Sequence, residues 1–328
     1  MLKTLVSRPR GFCAGVVRAI DTVELALRHF GTPLYVRKEI VHNRAVVEWF
    51  RARGVMFIDS LNEVPQAGLV IFSAHGVAPD VWSEARERKL HVIDATCPLV
   101  TKVHMEVHRF RKLGYSILLI GHEDHDEVIG TMGEAPDAIQ VVGTIGEAER
   151  IRIMHPDKVV ALTQTTLSLD EVETIIRALQ KRFPNLETPA KEDICYATQN
   201  RQDAVKAMAK RGMDLLLVVG SRNSSNSNRL CEVAKALGVE AFLIDSATEI
   251  DPDWLKNRRL IGLTAGASAP EYLVQEVVKA LEAMGSETEE LDLIHEYVSF
   301  ALPNELVEII QNEKGPSAAL EPRTPGTT

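Results

Sequence analysis

An α/β fold of three similar units, each with a mainly parallel sheet and all arranged around a pseudo-threefold axis, follows from two observations. Short apolar runs such as Leu34–Ile40, Ser116–Ile120 and Leu215–Val219 end in Gly, Ser, Asn or His, the pattern of buried parallel strands. Five features also recur three times in the same order, each set opened by a cysteine: Cys13, Cys97 and Cys195, spaced 84 and 98 residues apart.

Each of these cysteines closes a strand-like segment: Leu2–Arg8, Leu90–Asp94, and Ile194 with its neighbours. Helical periodicity follows over Val17–Phe30, Thr101–Leu113 and Gln202–Arg211. Next come the three apolar runs named above, which lead into His42-Asn43, Gly121-His122 and Gly220-Ser221. Phe57–Ser60, Val141–Thr144 and Leu243–Ser246 form the fourth feature. All three run into Ser/Thr-x-x-Glu, which places Glu63, Glu147 and Glu249 at the third position of a capping box. A last strand in each unit ends in small residues: Ser73-Ala74-His75-Gly76, Thr163-Gln164-Thr165-Thr166 and Thr264-Ala265-Gly266-Ala267-Ser268.

The units are therefore 1–96, 97–194 and 195–282, with 283–328 as a C-terminal extension. That extension holds an alternating segment around Tyr297–Ala301, an amphipathic stretch Glu305–Gln311, and a tail from about residue 314. Gly315–Thr328, rich in Pro, Thr and Gly, reads as disordered.

Composition narrows the function class. Forty-six acidic against 37 basic residues give a net charge of −9, a poor match to a nucleic-acid binder that must neutralise phosphates. No apolar stretch approaches the ~20 residues of a membrane span, and Met1–Arg10 has no secretory apolar region. A cytoplasmic protein is the expectation. Four cysteines in 328 residues are too sparse for a disulfide scaffold, and none belongs to a CxxC pair.

Ligands of open α/β sheets bind beyond the carboxyl ends of the strands, so the loops opening on that edge carry the chemistry. Cys13, Cys97 and Cys195, at equivalent places in three units, would bring three thiolates to one point. A structural zinc would want a fourth protein ligand. A [4Fe–4S] cluster can use three thiolates and leave one iron open as a Lewis acid. Cys231, mid-helix among apolar neighbours, reads as core.

His42, His75, His122 and His125 fall in post-strand loops on the same edge and suit an anion site or a proton relay. His122 and His125, three residues apart, could also share a helix face beside Glu127 and hold a second metal. The run Asn223-Ser224-Ser225-Asn226-Ser227-Asn228 exceeds what one helix cap needs and makes a phosphate site at a helix start. Ser268 and Thr165-Thr166 add hydroxyls.

At this point the motifs are recognisable. Arg10-Gly11-Phe12-Cys13-Ala14-Gly15-Val16, Ala95-Thr96-Cys97-Pro98 and Asp193-Ile194-Cys195-Tyr196-Ala197-Thr198 resemble segments of the 4-hydroxy-3-methylbut-2-enyl diphosphate reductase family. Ser73–Gly76, Gly121-His122-x-x-His125-x-Glu127, Gln164-Thr165-Thr166, Asn223–Asn226 and Thr264–Ser268 resemble it as well, so that about residues 3–312 are covered. One departure is Asp126, where the family commonly has proline.

The resemblance implies a central [4Fe–4S] cluster, one per chain, on Cys13, Cys97 and Cys195, whose open iron binds the substrate hydroxyl. It implies a diphosphate held by His42, His75, His125, Ser224, Ser225, Asn226 and Ser268. Glu127, assisted by Thr165 and His125, would deliver protons. Two electrons and two protons would remove the hydroxyl as water and leave isopentenyl or dimethylallyl diphosphate. The electrons would come from a donor such as ferredoxin or flavodoxin, and the chain would act as a monomer. An iron–sulfur redox sensor that binds an anion without turning it over is the alternative; it would need the cysteines but not Glu127.

Overall fold

The computed structural model describes residues 2–153, 155–189 and 193–314. The chain opens with β1 (Leu2–Arg8), α1 (Ala14–Phe30), β2 (Leu34–Arg37), α2 (Arg44–Arg51), β3 (Val55–Ile58), β4 (Leu69–Phe72), α3 (Pro79–Glu87) and β5 (His91–Asp94). It continues through α4 (Pro98–Lys112), β6 (Ser116–Ile120), α5 (Asp126–Glu134), β7 (Ile139–Val142), α6 (Ile145–Arg150), β8 (Val159–Thr163) and α7 (Leu169–Arg182). The last part holds α8 (Tyr196–Lys210), β9 (Leu215–Val219), α9 (Ser225–Ala236), β10 (Glu240–Ile244), β11 (Leu260–Ala265), α10 (Glu271–Ala283), β12 (Ser286–Asp292) and α11 (Asn304–Lys314).

Three parallel sheets result, ordered β3-β2-β4-β5, β7-β6-β8 and β10-β9-β11-β1-β12. The apolar runs are continuous because both faces of each sheet are covered. In β9, Leu215, Leu217 and Val219 pack into one core with α10, while Leu216 and Val218 pack into another with α8 and α9. Leu118 and Ile120 of β6 face one core, and Ile117 and Leu119 face the other. In the first sheet Val36, Ile71 and Ile93 lie opposite Tyr35, Val70 and Phe72.

Several sequence expectations need correction. β1 does not join the sheet of residues 34–94; it lies between β11 and β12, with Lys3 beside both Leu260 and Glu287. A buried apolar run announces a strand but not the sheet that receives it. Ile194 lies in a bend before Cys195, and residues 190–192 on its N-terminal side lie outside the described residues. The run Leu34–Ile40 leaves the ladder after Arg37.

The alternating segment Tyr297–Ala301 is irregular, and the strand lies upstream at Ser286–Asp292. Side chains pin that segment instead of a ladder: Arg201 pairs with Glu296 at 3.0 Å, and Arg18 Nε donates to the Ala301 carbonyl at 2.7 Å. The amphipathic stretch is α11, whose Leu306 and Ile310 join the core around α1. Residues 315–328 lie outside the described residues.

The capping boxes differ. Ser60 and Glu63 form a complete box, and Thr144 caps Glu147 N while Glu147 accepts from Gly143 N. Ser246 makes no side-chain cap, and only Asp245 N reaches Glu249, at 3.4 Å.

Candidate active site

Cys13, Cys97 and Cys195 are the N-caps of α1, α4 and α8, which therefore begin three to six residues earlier than periodicity alone suggested. Each sulfur sits at the positive end of a helix dipole, which favours thiolate. All three are free thiols. Burial outweighs the dipole: it pushes the Cys97 thiol up to about 12 and Cys195 to about 11, with the other cysteines adding repulsion.

Cys97 and Cys195 therefore need a bound cation to become thiolate. The space between the sulfurs is kept open by Gly15, where a Cβ would lie 2.7 Å from Cys97 Sγ and 3.8 Å from Cys13 Sγ. Among the described residues, the trio with ligand atoms all within 4.8 Å of one another is His42, His75 and Asp126, not the cysteines. The thiols are thus set wider than the ligands of a single ion, and the donor set fits a multi-iron cluster held at three corners.

Cys13, Cys97, Cys195, His42, His75, His125, Glu127, Thr165, Ser224, Ser225, Asn226 and Ser268 all line one cavity of about 110 Å³. The His42 and His75 rings stack at 4.0 Å, and His125 stands edge-on to both at 5.4 and 5.9 Å. Burial, then His42 and His125, holds His75 well below the usual imidazole range. Burial, then His42 and His122, brings His125 down to about 4. These two rings are neutral until an anion enters, whose charge would favour protonation.

Across the cavity Ser224 caps α9 by accepting from Ser227 N, so the first turn of the helix presents Ser225 and Asn226. Asn226 is held rigidly, its Oδ1 accepting from Ala267 N at 2.9 Å and its Nδ2 donating to Thr198 Oγ1 at 3.3 Å. Ser268 Oγ donates to the His42 carbonyl at 2.9 Å and ties their two loops together. A helix start lined by hydroxyl and amide groups suits phosphate oxygens.

Glu127, 3% exposed, accepts from Thr165 N at 2.7 Å and from Thr165 Oγ1 at 3.0 Å. Burial still dominates and lifts its carboxyl to about 7, so the group carries or releases a proton near neutrality. Its cap is His125, whose Nδ1 accepts from Glu127 N.

The sequence matches the model of the LytB protein family over residues 4–282. The chain belongs to the LytB family. Among LytB relatives, a 4-hydroxy-3-methylbut-2-enyl diphosphate reductase of Azoarcus sp. is 55% identical over 305 residues, 93% of this chain and 97% of that protein. One of the same name from Nocardia farcinica is 55% identical over 93% of this chain and 91% of its own. The solved E-1-hydroxy-2-methyl-but-2-enyl-4-diphosphate reductase of Plasmodium falciparum superposes with a TM-score of 0.92 at 40% identity, covering 95% of this chain and 99% of that one. A structure of (E)-4-hydroxy-3-methyl-but-2-enyl diphosphate reductase gives 0.60 at 31% identity, covering 86% and 100%.

Within this LytB chain, His122 and His125 do not act as a pair. His125 caps α5, whereas His122 Nε2 meets the guanidinium of Arg229, which also pairs with Glu171 and Glu232. His122 and Arg229 line an adjoining cleft of about 450 Å³ that shares His42, His125 and Ser225 with the cavity. Asp126 Oδ2 stands 3.9 Å from His42 Nε2. Cys231 is buried in α9, as expected of a core residue.

Sequence reasoning missed three cations that brace the cysteine loops. Arg18, on the helix after Cys13, donates to the carbonyls of Asp94 and Thr96, next to Cys97. Lys102, on the helix after Cys97, pairs at 2.9 Å with Asp193, next to Cys195, and Asp193 also accepts from Thr163 N. Arg201, on the helix after Cys195, donates at 2.6 Å to the carbonyl of Gly11, next to Cys13. The helix after each cysteine thus ties down the loop of another cysteine, in a closed ring. The signal was present: a cation follows each cysteine by five, five and six residues.

Proposed function

We propose that the chain is a 4-hydroxy-3-methylbut-2-enyl diphosphate reductase that removes the substrate hydroxyl as water and yields isopentenyl and dimethylallyl diphosphate. The observation that carries this reading is the meeting in one cavity of three spaced thiols, a histidine–hydroxyl anion pocket and one buried carboxyl of raised proton affinity. The names borne by its LytB relatives support it. When bound to Cys13, Cys97 and Cys195, a [4Fe–4S] cluster would supply electrons and a Lewis-acidic iron for the departing hydroxyl.

The remaining work belongs to the chain. His42, His75 and His125 with Ser224, Ser225, Asn226 and Ser268 grip the diphosphate. Because these groups are mutually bonded and capped, they orient the other end of a small substrate toward the thiols. Glu127 holds the proton, and Thr165 fixes its carboxyl through two hydrogen bonds. Hydroxide is a poor leaving group, so protonation at the departing oxygen lowers the barrier. A ferredoxin or flavodoxin would feed electrons to a monomeric cytoplasmic enzyme. No helix among the described residues is long and apolar enough to cross a membrane.

The test is anaerobic reconstitution with iron and sulfide, then substrate and reductant. About four iron and four sulfide per chain, with product formed, is the expected result. Zinc in place of iron, or an iron-loaded protein that binds substrate without turnover, sinks the reading. Glu127→Gln should bind substrate normally while kcat falls on the order of 10²–10⁴-fold. An unchanged kcat with a raised KM would make Glu127 a binding residue.

A further inference from the structure

We propose that His108, Glu134 and His104 form a proton path from solvent to Glu127. The path rests on the proton-donor reading of Glu127 given above and adds the residues that resupply it. Each turnover consumes two protons, yet Glu127 is 3% exposed and lies beneath the substrate pocket.

Helices α4 and α5 both start at the cavity, at Cys97 and His125, and run outward. On α5, Glu127, Thr131 and Glu134 recur at helical spacing and share a face. Thr131 Oγ1 donates to the Glu127 carbonyl at 2.8 Å. On α4, His104 and His108 lie one turn apart. Glu134 joins them: its Oε1 is 2.9 Å from His104 Nδ1 and its Oε2 is 2.7 Å from His108 Nε2. Side-chain exposure is 58% at His108 against 10% at Glu134 and 11% at His104, which makes His108 the outer end of the path.

The inner end is the informative one. His104 Nε2 is enclosed and has no hydrogen-bond partner. An orphaned ring nitrogen in the interior costs about 1–3 kcal/mol and calls for an explanation. The ring lies against the loop that carries His75, since a Cβ on Gly76 would come 3.2 Å from His104 Cε1. His104 is also close enough to Glu127 for its charge to lower the carboxyl's proton affinity.

When Glu127 has given up its proton, His108 passes one to Glu134. His104, neutral and protonated at Nδ1, turns its free Nε2 to Glu134, takes that proton and turns back as imidazolium. It releases the Nε2 proton to Glu127 and is left in its starting tautomer. One proton enters, one arrives, and no electrons move. Water reprotonates His108.

The experiment uses the anaerobic, iron-loaded enzyme and the variants His104→Gln, His104→Ala, Glu134→Gln and the exposed His108→Gln. Iron content, thermal midpoint, KM, kcat and the solvent deuterium isotope effect on kcat are measured for each. The path predicts that kcat falls on the order of 10- to 100-fold in Glu134→Gln and His104→Gln, and less in His108→Gln. The isotope effect should rise while KM and iron content hold, and added imidazole should restore turnover to His104→Ala. Wild-type kcat and isotope effect in iron-loaded Glu134→Gln and His104→Gln overturn the path. So does a loss of turnover that follows lost iron or a lowered midpoint with no change in isotope effect. Glu127→Gln separates the two claims: if it is inactive while the path variants match wild type, the path alone fails. If it keeps full kcat, the proton-donor reading fails with it.

Discussion

Burial without a strong partner governs Asp21 in α1. Its Oδ1 has no hydrogen bond, and burial, with repulsion from Glu24, lifts its carboxyl from 3.8 to about 6. The folded state therefore holds this proton more tightly than the unfolded chain does. Its contribution to stability is fully present below pH ~4 and is lost as pH rises through about 6. Asp21→Asn should stabilise the protein by roughly 2–3 kcal/mol at pH 7.5 and by little at pH 3.5, as read by chemical denaturation at both values. Which polar residues meet at the cavity was legible, because Cys, His, Ser and Asn at strand ends stand out against apolar runs. Arg18, Lys102 and Arg201 were not, because a basic residue on an amphipathic helix reads equally well as a solvated one. Only tertiary packing makes Arg201 the largest fully buried side chain among the described residues.

Among the elements, the helices that start at the cysteines were read too short. Cysteine is not a capping signal, and Ala14-Gly15, Pro98-Leu99 and Tyr196-Ala197 break the apolar period over the first turn. That first turn is where function constrains α1. Gly15→Ala raises helix propensity by about 1 kcal/mol, yet its Cβ would press on Cys97 Sγ. The expected result is an apoprotein that folds normally but incorporates far less iron on anaerobic reconstitution, measured as iron and sulfide per chain. Cys231→Ala in α9 should keep full iron content and cost only the packing of one small buried side chain, about 1 kcal/mol, in denaturant unfolding.

For the whole molecule, the ring of cations makes the three cysteine loops mutually dependent. Arg201 carries two of its contacts: the Gly11 carbonyl before Cys13 and Glu296 in the extension. Arg201→Met leaves Glu296 without its buried partner and should cost about 3–5 kcal/mol. It should also lower iron retention, measured as the rate of iron loss to a chelator under anaerobic conditions. A variant that unfolds earlier but holds iron as long as wild type would separate the clamp from the ligand loops. The repeat order, and with it the three sheets, was legible from sequence. The sheet that takes β1 was not, since period and burial describe a strand's faces and are silent about its neighbours.

That placement has a consequence for synthesis. β1 is made long before its neighbours, since Lys3 pairs with Leu260 and Glu287. At about 5–20 residues per second the strand waits on the order of tens of seconds for its neighbours. Cys13 follows β1 closely, so of the three loop cysteines the one made before the other two is the last to reach its place. The three thiols then meet only after those late strands are made, and a product cut short before Leu260 brings no complete set of them together.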